Sequence, residues 1–307
     1  MKNNCISVVV PVYRGENTLE ELVNRSSNTI QKLGFECELI LVNDASPDAS
    51  WEVIKQLKAT HTSIVGLNLS RNFGQHYAIS AGLSEAQGVW IVVMDCDLQD
   101  VPEEIEKLYE KANQGFDVVL AKRKRRKDGF FKKFFSKSFY FFLSYLSGIK
   151  YDAQVANFGI YHNQVIKTIT ALPEKNRFFP SMIKWVGFNQ TSIEVSHSKR
   201  EEGTSSYNFK KLLNLSLDII LSYSDKPLRL TIKLGLLITF SSILVALLTL
   251  YKWYHGEIEV MGYTSLILSI WLLSGIVIFV LGMTGLYIGK IFENVKDRPT
   301  FIIKEKI

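Results

Sequence analysis

Apolar residues in the first half of the chain recur in short runs that are separated by longer amphipathic segments. Runs such as GVWIVVMD, rich in β-branched residues, predict strands, whereas segments such as SWEVIKQLKATH, with apolar residues three and four positions apart, predict helices. Because single helices that join successive strands form parallel crossovers, we expect a doubly wound, mostly parallel α/β sheet with helices on both faces. The predicted strands are 5–12, 37–44, 63–70, 88–95 and 116–122, and the predicted helices are 16–33, 50–61, 77–86 and 102–114.

The last third of the chain contains two long apolar stretches. Residues 234–254 carry no charge before Lys252, and residues 264–289 carry none at all. Each stretch is as long as the roughly 20 residues that cross a hydrocarbon core as a helix. Buried helices of a soluble core are the alternative, but adjacent runs so poor in charge are rare in soluble domains. We therefore predict two transmembrane helices, at about 232–254 and 264–289 within a segment 228–291, after an amphipathic juxtamembrane segment at 209–227.

Basic residues flank these stretches on their outer sides. Lys226, Arg229 and Lys233 precede the first stretch and five basic residues follow the second, whereas the connector between them holds one Lys and two Glu. The positive-inside rule then places both ends of the chain in the cytoplasm. The N-terminal apolar run is too short for a signal peptide. We therefore expect a two-span membrane protein with a cytoplasmic domain at 1–208 and a cytoplasmic tail at 292–307.

Composition and charge limit the classes of function that the chain can have. With 307 residues, 47% of them apolar, the chain can bury a sizeable core. Its formal net charge of +6 is concentrated in residues 121–137, where basic residues alternate with phenylalanines. In a tethered protein this composition favours a segment that lies on anionic lipid headgroups. A solvated face with a packed aromatic side and a nucleic-acid patch are the alternatives. Cys5, Cys37 and Cys96 lack metal-ligand spacing and are expected to be core residues.

Carboxylates follow the fourth predicted strand. In an extended segment Asp95 and Asp97 point to the same side, where their charges repel unless a cation lies between them. Gln99 offers a third oxygen on that side, and Mg²⁺ or Mn²⁺ held by such ligands completes its coordination with substrate phosphates. The sequence thus predicts a divalent metal site that carries a diphosphate. Asp100, in front of Pro102, is expected to cap the next helix instead.

The other predicted strand ends bring further polar residues to the same edge of the sheet. Ligands of doubly wound sheets bind at this edge, so residues 11–16 and 43–48 are expected to lie near the acidic residues. Gly74 and Gly82 do not form a dinucleotide-binding fingerprint, which argues against NAD. His76 lies near the edge, but an ordinary packing role is the expectation for it.

Six motifs in a fixed order carry a resemblance to a known family. They are PVYRGEN (11–17), VNDASPD (42–48), LSRNFGQHYAISAGL (69–83), MDCDLQDVPE (94–103), WVGF (185–188) and REEGTSSY (200–207). With the two C-terminal spans, the chain resembles the polyprenyl-phosphate glycosyltransferases, an inverting family that includes dolichol-phosphate mannose synthase and the bactoprenol glucosyltransferases. The match covers nearly the whole chain, and it implies a GT-A type fold.

The resemblance implies a role for each matching residue. The nucleotide would be held by Pro11, Tyr13, Glu16, Asp44 and Asp95, and the metal by Asp95, Asp97 and Gln99. The catalytic residues would be Asp97, Arg123, Arg200 and Asn157. The acceptor phosphate would be held by Lys133, Lys137, Ser205 and Tyr207. Any one of the basic groups could instead be plain surface, and Asp44 could be a turn former.

Two positions depart from the family pattern. Asn157 stands where the family often has a carboxylate, and Ser206 stands where it usually has a lysine. We expect activity to survive these departures, because a phosphate monoester acceptor is already an anion at neutral pH and needs no general base.

The sequence therefore predicts a metal-dependent glycosyltransferase of the bacterial inner or plasma membrane. It would move a sugar from a nucleotide-diphosphate donor, with UDP favoured, to a polyprenyl phosphate by a single displacement with inversion. A processive polysaccharide synthase is one alternative, although the chain has only two predicted spans and no Gln-x-x-Arg-Trp motif. A catalytically silent membrane scaffold is the other. A homo-oligomer is expected by analogy, and nucleic acid is not expected as a partner.

Overall fold

The computed structural model describes residues 2–123, 144–146, 155–196, 220, 224–255 and 262–307 of the chain. The strands are β1 (Lys2–Val12), β2 (Glu36–Asn43), β3 (Ile64–Leu69), β4 (Gly88–Val93), β5 (Val118–Arg123), β6 (Val155–His162), β7 (Gln190–Val195) and β8 (Ile303–Lys306). They form one sheet in the order β7-β5-β6-β4-β1-β2-β3-β8.

The first four strands form the parallel core of the sheet. β1 pairs in parallel with both β2 and β4, and β2 pairs in parallel with β3. Their apolar runs are buried, as expected for strands that are covered on both faces. The chain proceeds outwards from β1 to β3 and then returns to β4 on the other side of β1. The carboxyl ends of β1 and β4 therefore flank the topological switch point, where doubly wound sheets bind ligands.

Helices cover this sheet at the predicted positions. In α1 (Leu19–Lys32) the residues Leu19, Leu22, Val23, Ser26 and Ile30 are buried, three and four positions apart, so that one stripe of the helix faces the core. A Cβ atom on Gly82 of α3 (Gln75–Glu85) would lie 2.4 Å from Val9 of β1, so glycine permits the close approach of this helix to the sheet. The helices are α1 (Leu19–Lys32), α2 (Ser50–Thr60), α3 (Gln75–Glu85), α4 (Ile105–Ala112), α5 (Asn163–Thr170), α6 (Phe179–Trp185), α7 (Lys226–Tyr254) and α8 (Tyr263–Val295).

The sheet is mixed rather than purely doubly wound. β6 lies between β4 and β5 and is antiparallel to both, and β5 pairs in parallel with β7. The predicted α/β fold is confirmed in its first five strands. The antiparallel insertion of β6 was not predicted, because the predicted strands end at residue 122.

The tail returns to the sheet as an edge strand. β8 pairs antiparallel with β3, Nε1 of Trp51 donates to Glu305 at 3.2 Å, and Lys306 forms an ion pair with Glu85 at 2.7 Å. The Ile307 side chain lies 2.7 Å from the place that a Cβ on Gly66 would take. The segment 292–307, predicted only as a tail, therefore contains part of the sheet.

The two longest helices belong to a second compact unit. The mostly apolar helices α7 and α8 contain the two predicted spans, at 232–254 and 264–289. Among the described residues one stretch, Leu272–Val295, has a mean hydropathy of 2.1 and is long and apolar enough to cross a membrane. Within this unit the Tyr287 hydroxyl donates to the Ser224 carbonyl at 2.9 Å. Two predicted segments lie largely outside the described residues. These are the juxtamembrane segment, at residues 209–219 and 221–223, and the basic segment, at residues 124–137.

Candidate active site

The loops after β1 and β2 are tied together at the carboxyl edge of the sheet. The backbone amides of Arg14 and Gly15 donate to the hydroxyls of Ser46 and Ser50 at 2.7 and 3.0 Å. Glu16 accepts from the Ala49 amide at 2.8 Å. The predicted residues 11–16 and 43–48 are therefore neighbours, as the strand order requires.

Asp48 accepts several of the hydrogen bonds that hold the loops after β1 and β2 in place. Its carboxylate accepts hydrogen bonds from the hydroxyls of Ser46 and Ser50 and from the backbone amides of Ser50 and Glu16. Partial burial raises the pKa of Asp48, but these donors outweigh it and hold the pKa below its ordinary value. The carboxylate therefore stays ionised and keeps the loop closed.

The acidic residues after β4 form a turn. Asp95, Asp97 and Gln99 are half-buried, whereas the alternate residues Cys96, Leu98 and Asp100 are buried. Each of the three predicted ligands is thus more exposed than the residues that alternate with them. The expectation of an extended segment is wrong, because Leu98 has a φ of 56°, which turns the backbone. The backbone amide of Gln99 donates to the Asp97 carboxylate at 3.2 Å.

The turn is anchored on the β1 side. The Thr18 hydroxyl donates to the Cys96 carbonyl at 2.6 Å, and a Cβ on Gly15 would lie 3.3 Å from the Cys96 sulfur. Burial raises the pKa of Cys96 to about 11. Cys96 is thus a neutral packing residue, as predicted, and Cys5, Cys37 and Cys96 form no disulfide.

Asp100 supports the turn from inside. It is 3% exposed, and its carboxylate accepts from the Asp95 amide at 3.4 Å. Burial and the nearby Asp100 raise the pKa of Tyr161, whose hydroxyl donates to the Asn157 carbonyl at 3.2 Å. The predicted helix cap is wrong, because the residue before the 3₁₀ turn Pro102–Glu104 is Val101 and no side chain caps it.

Asp44 is 4% exposed, and its two oxygens accept from the amides of Phe73 and Gly74 at 2.7 and 2.9 Å. Burial raises the pKa of Asp44 above its ordinary value, although these amides and the charge of Arg71 oppose the shift. Asp44 therefore closes the loop after β3. A nucleotide-binding role for it stays a prediction.

The remaining predicted residues are distributed over this edge and beyond the described part. Pro11 is buried near the end of β1, and Tyr13 is 46% exposed just after it. Arg123 ends β5, and Asn157, half-buried in β6, lies two residues before Gly159, which pairs with Val93 at the end of β4. Lys133, Lys137, Arg200, Ser205 and Tyr207 lie outside the described residues.

Gln75 contacts a predicted site residue but was not itself predicted from the sequence. It is the first residue of α3, and its Nε2 donates to Oδ1 of Asp95 at 2.5 Å. Its place inside the motif LSRNFGQHYAISAGL, which begins at the end of a predicted strand, was the signal that could have indicated it.

Three non-glycine residues with a strained, positive φ lie at this edge of the sheet. Arg14, Ala45 and Leu98 are non-glycine residues with φ values of 57°, 47° and 56°, and each lies in a loop after one of the strands β1, β2 and β4. Such conformations cost on the order of 1–3 kcal/mol each and tend to occur at functional sites.

The acidic turn fits a hard divalent cation. In the part of the chain that the structure describes, no group of three or more His, Cys, Asp and Glu residues is arranged to hold a metal ion. Mg²⁺ commonly needs only one or two carboxylates besides substrate phosphates, and the half-buried residues Asp95, Asp97 and Gln99 carry oxygen donors of the type that it prefers.

Comparison with known proteins supports an enzyme of sugar transfer. The sequence profile described as Glycosyl transferase family 2 matches residues 7–169. An uncharacterized glycosyltransferase of Bacillus subtilis is 38% identical over 97% of this chain and 93% of its own length. The bactoprenol glucosyl transferase of Shigella phage SfII is 36% identical over 98% of this chain and 97% of its own. The undecaprenyl-phosphate 4-deoxy-4-formamido-L-arabinose transferase of Proteus mirabilis is 33% identical over 100% of this chain and 95% of its own.

Proposed function

The chain belongs to glycosyl transferase family 2, and from this premise we propose that it transfers a sugar from a nucleoside diphosphate to a polyprenyl phosphate at the cytoplasmic membrane face. The observation that carries the proposal is the acidic turn at the switch point of the sheet, in a chain whose full-length relatives are named for bactoprenol and undecaprenyl phosphate. The product would be a polyprenyl-phosphate sugar for envelope glycan synthesis.

The loops after β1 and β2 are our proposed binding site for the nucleotide. Tyr13 is exposed at the edge, two residues after the rigid Pro11, and offers a ring face on which a base can stack. Glu16 and Asp44 hold the surrounding loops through backbone amides. UDP is our proposed nucleotide.

Asp95, Asp97 and Gln99 would hold Mg²⁺ or Mn²⁺ together with the donor diphosphate. When bound, such an ion neutralises the charge that develops on the departing nucleoside diphosphate. The protein's own contribution is to fix the carboxylates beforehand, through the Gln99 backbone amide on Asp97 and the Gln75 side-chain amide on Asp95. Asp95 would also contact the nucleotide.

The acceptor phosphate attacks the anomeric carbon from the face opposite to the leaving group, which inverts the configuration. A phosphate monoester is an anion at neutral pH, so this step needs no general base. In our proposal Asn157 orients the acceptor by hydrogen bonding, and Arg123 and Arg200 pair with phosphate oxygens. Lys133, Lys137, Ser205 and Tyr207 would hold the acceptor phosphate.

The membrane part of the proposal rests on α7 and α8. Large apolar side chains on these helices are strongly exposed, for example Phe240 at 70% and Ile278 at 69%. Such a surface is unfavourable in water and favourable in hydrocarbon. We propose that both helices span the membrane and that domain 1–208 and the tail 292–307 are cytoplasmic.

Replacing Asp97 by Ala tests the metal and leaving-group part of the proposal. We expect the variant to lose at least about a hundredfold in the rate at which labelled sugar from a UDP-sugar enters chloroform-soluble product, because it removes preorganised charge at the leaving group. Glu106→Ala, on the exposed side of α4, is the control and should leave the rate unchanged. An undiminished rate in Asp97→Ala would contradict the metal assignment.

The same assay with the wild-type chain separates the alternatives. A panel of UDP- and GDP-sugars identifies the donor, and thin-layer chromatography distinguishes a lipid with one sugar from the polymer that a processive synthase would make. Nucleotide binding without any lipid-linked sugar would favour the silent scaffold.

A further inference from the structure

The loop between β3 and α3 connects two buried or half-buried carboxylates. On one side Asp44 accepts the amides of Phe73 and Gly74 at 2.7 and 2.9 Å. On the other side Gln75, the very next residue, donates its Nε2 to Asp95 at 2.5 Å. Three consecutive residues therefore link the end of β2 to the acidic turn after β4.

The position of Gln75 is fixed by the backbone around it. Gly74 has a φ of 101°, which L residues rarely adopt, and its carbonyl accepts the Tyr77 and Ala78 amides, so that α3 begins directly after it. The Ser70 amide, at the other end of the loop, donates to the Ile302 carbonyl at 2.9 Å. The loop is thus held at both ends, and the Gln75 side chain leaves it at a defined point.

The chemistry of the Gln75 side chain suits a metal-binding carboxylate. A carboxylate on a single short side chain rotates unless a second group orients it, and partners of this kind tune metal affinity. A primary amide donates a hydrogen bond but carries no charge, so it fixes Asp95 without cancelling the negative charge that attracts a cation. A lysine or arginine in the same place would compete with the cation.

We propose that Gln75 is a positioning residue that orients Asp95 for the divalent cation, and that Asp44 acts on Asp95 by holding the loop that carries Gln75. The inference rests on the proposed function, because Asp95 is taken from there as a metal ligand. It assigns Asp44 a task that does not involve the nucleotide.

Titration of the purified full-length chain with Mn²⁺ alone, followed by the electron paramagnetic resonance signal of free Mn²⁺, tests the role of Gln75. Gln75→Met keeps the length and helix propensity of the side chain but removes the donor. We expect its Mn²⁺ affinity to fall by about tenfold to a hundredfold, as is typical when the partner of a metal ligand is lost. Gln56→Met, on the exposed side of α2, is the matched control and should bind Mn²⁺ like the wild type. Gln75→Asn, one methylene shorter, should also bind more weakly and replaces the Met variant should that variant not fold.

The role of Asp44 is tested by Asp44→Asn in the same titration. Asparagine keeps the volume but replaces one acceptor oxygen by a donor, so one of the two amides loses its partner. The Mn²⁺ affinity of Asp44→Asn should fall without any nucleotide present. The double variant Asp44→Asn/Gln75→Met should bind Mn²⁺ no more weakly than Gln75→Met, because both changes act through the same contact between Gln75 and Asp95. Unchanged Mn²⁺ binding in Asp44→Asn would overturn the role given to Asp44.

Wild-type Mn²⁺ affinity in the Gln75 variants, or no Mn²⁺ binding by the wild type, would overturn the inference about Gln75. Formation of lipid-linked sugar by the wild type would leave the proposed transfer intact in either case. Conversely, Gln75-dependent Mn²⁺ binding by a chain that makes no lipid-linked sugar would uphold the inference and reject the transfer.

Discussion

The His76 imidazole packs edge-on against the Phe178 ring, with the ring centroids 4.7 Å apart. Although the residue as a whole is only partly buried, its Nδ1 atom is inaccessible to solvent and has no hydrogen-bond partner among the described residues. Burial lowers the pKa of His76 from 6.5 to about 4. The folded chain therefore favours the neutral imidazole over the imidazolium.

This shift makes folding stability depend on pH in a defined direction. Because the pKa of His76 is lower in the folded chain than in the unfolded chain, the neutral imidazole stabilises the fold fully above pH 6.5. This stabilisation is lost as the pH falls from about 6.5 through 4. The loss amounts to about 3 kcal/mol, since one pKa unit corresponds to roughly 1.4 kcal/mol. His76→Phe keeps the ring contact and removes the titration, so its thermal unfolding midpoint should fall less than that of the wild type between pH 7.5 and 4.5. His255→Phe, at an exposed position, should follow the wild type, and equal pH dependence in all three chains would contradict the prediction.

At the same scale, residue type and position predicted some of the candidate site. Asp95, Asp97 and Gln99 follow a strongly apolar run, so their place at the sheet edge followed from chain order alone. The contacts of Gln75 and Asp44 did not follow, because each joins segments that are 20 or more residues apart and depends on how loops fold over the edge. The turn at Leu98 was missed because a leucine gives no sign of a positive φ.

At the scale of elements, segments with a strong apolar pattern were predicted well, whereas β6, β7 and β8 were not predicted. The first five strands and the first four helices lie within a few residues of their predicted bounds because their apolar patterns are strong. β8 has only Ile303 partly buried among exposed residues, so its sequence carries almost no strand pattern. Such a strand owes its structure to the edge of β3 that it covers.

The contact between Gly66 of β3 and Ile307 tests how tightly the tail is packed. A Cβ on Gly66 would lie 2.7 Å from Ile307 and 2.9 Å from Ile54, so Gly66→Ala should lower the free energy of unfolding by about 1–3 kcal/mol through overpacking. Ile307→Ala removes the nearer obstacle, and the cost of Gly66→Ala should be smaller in that background, as measured by chemical denaturation of the four chains of the cycle. Additive costs would show that the tail does not pack against Gly66.

At the scale of the whole molecule, the chain combines a sheet edge that carries polar residues with helices that expose apolar surface. A sugar transfer from a soluble nucleotide to a lipid phosphate requires both properties in one protein. This difference between the two parts of the chain was visible in the sequence. The last third contains long apolar stretches almost without charge, whereas short apolar runs alternate with amphipathic segments before it. The arrangement of loops at the edge was not visible, since it depends on the strand order and on the inserted β6.

The proposed topology makes a prediction about access from the two sides of the membrane. His255 follows α7 in the connector and Lys296 follows α8, and both are exposed. Because basic flanks of membrane spans stay in the cytoplasm, a membrane-impermeant maleimide added to intact cells should label His255→Cys above the wild-type background but not Lys296→Cys. Lys296→Cys should be labelled once the membrane is permeabilised. Labelling of both positions from outside would mean that the helices do not form two spans with both ends inside, because two crossings return the chain to the side from which it started.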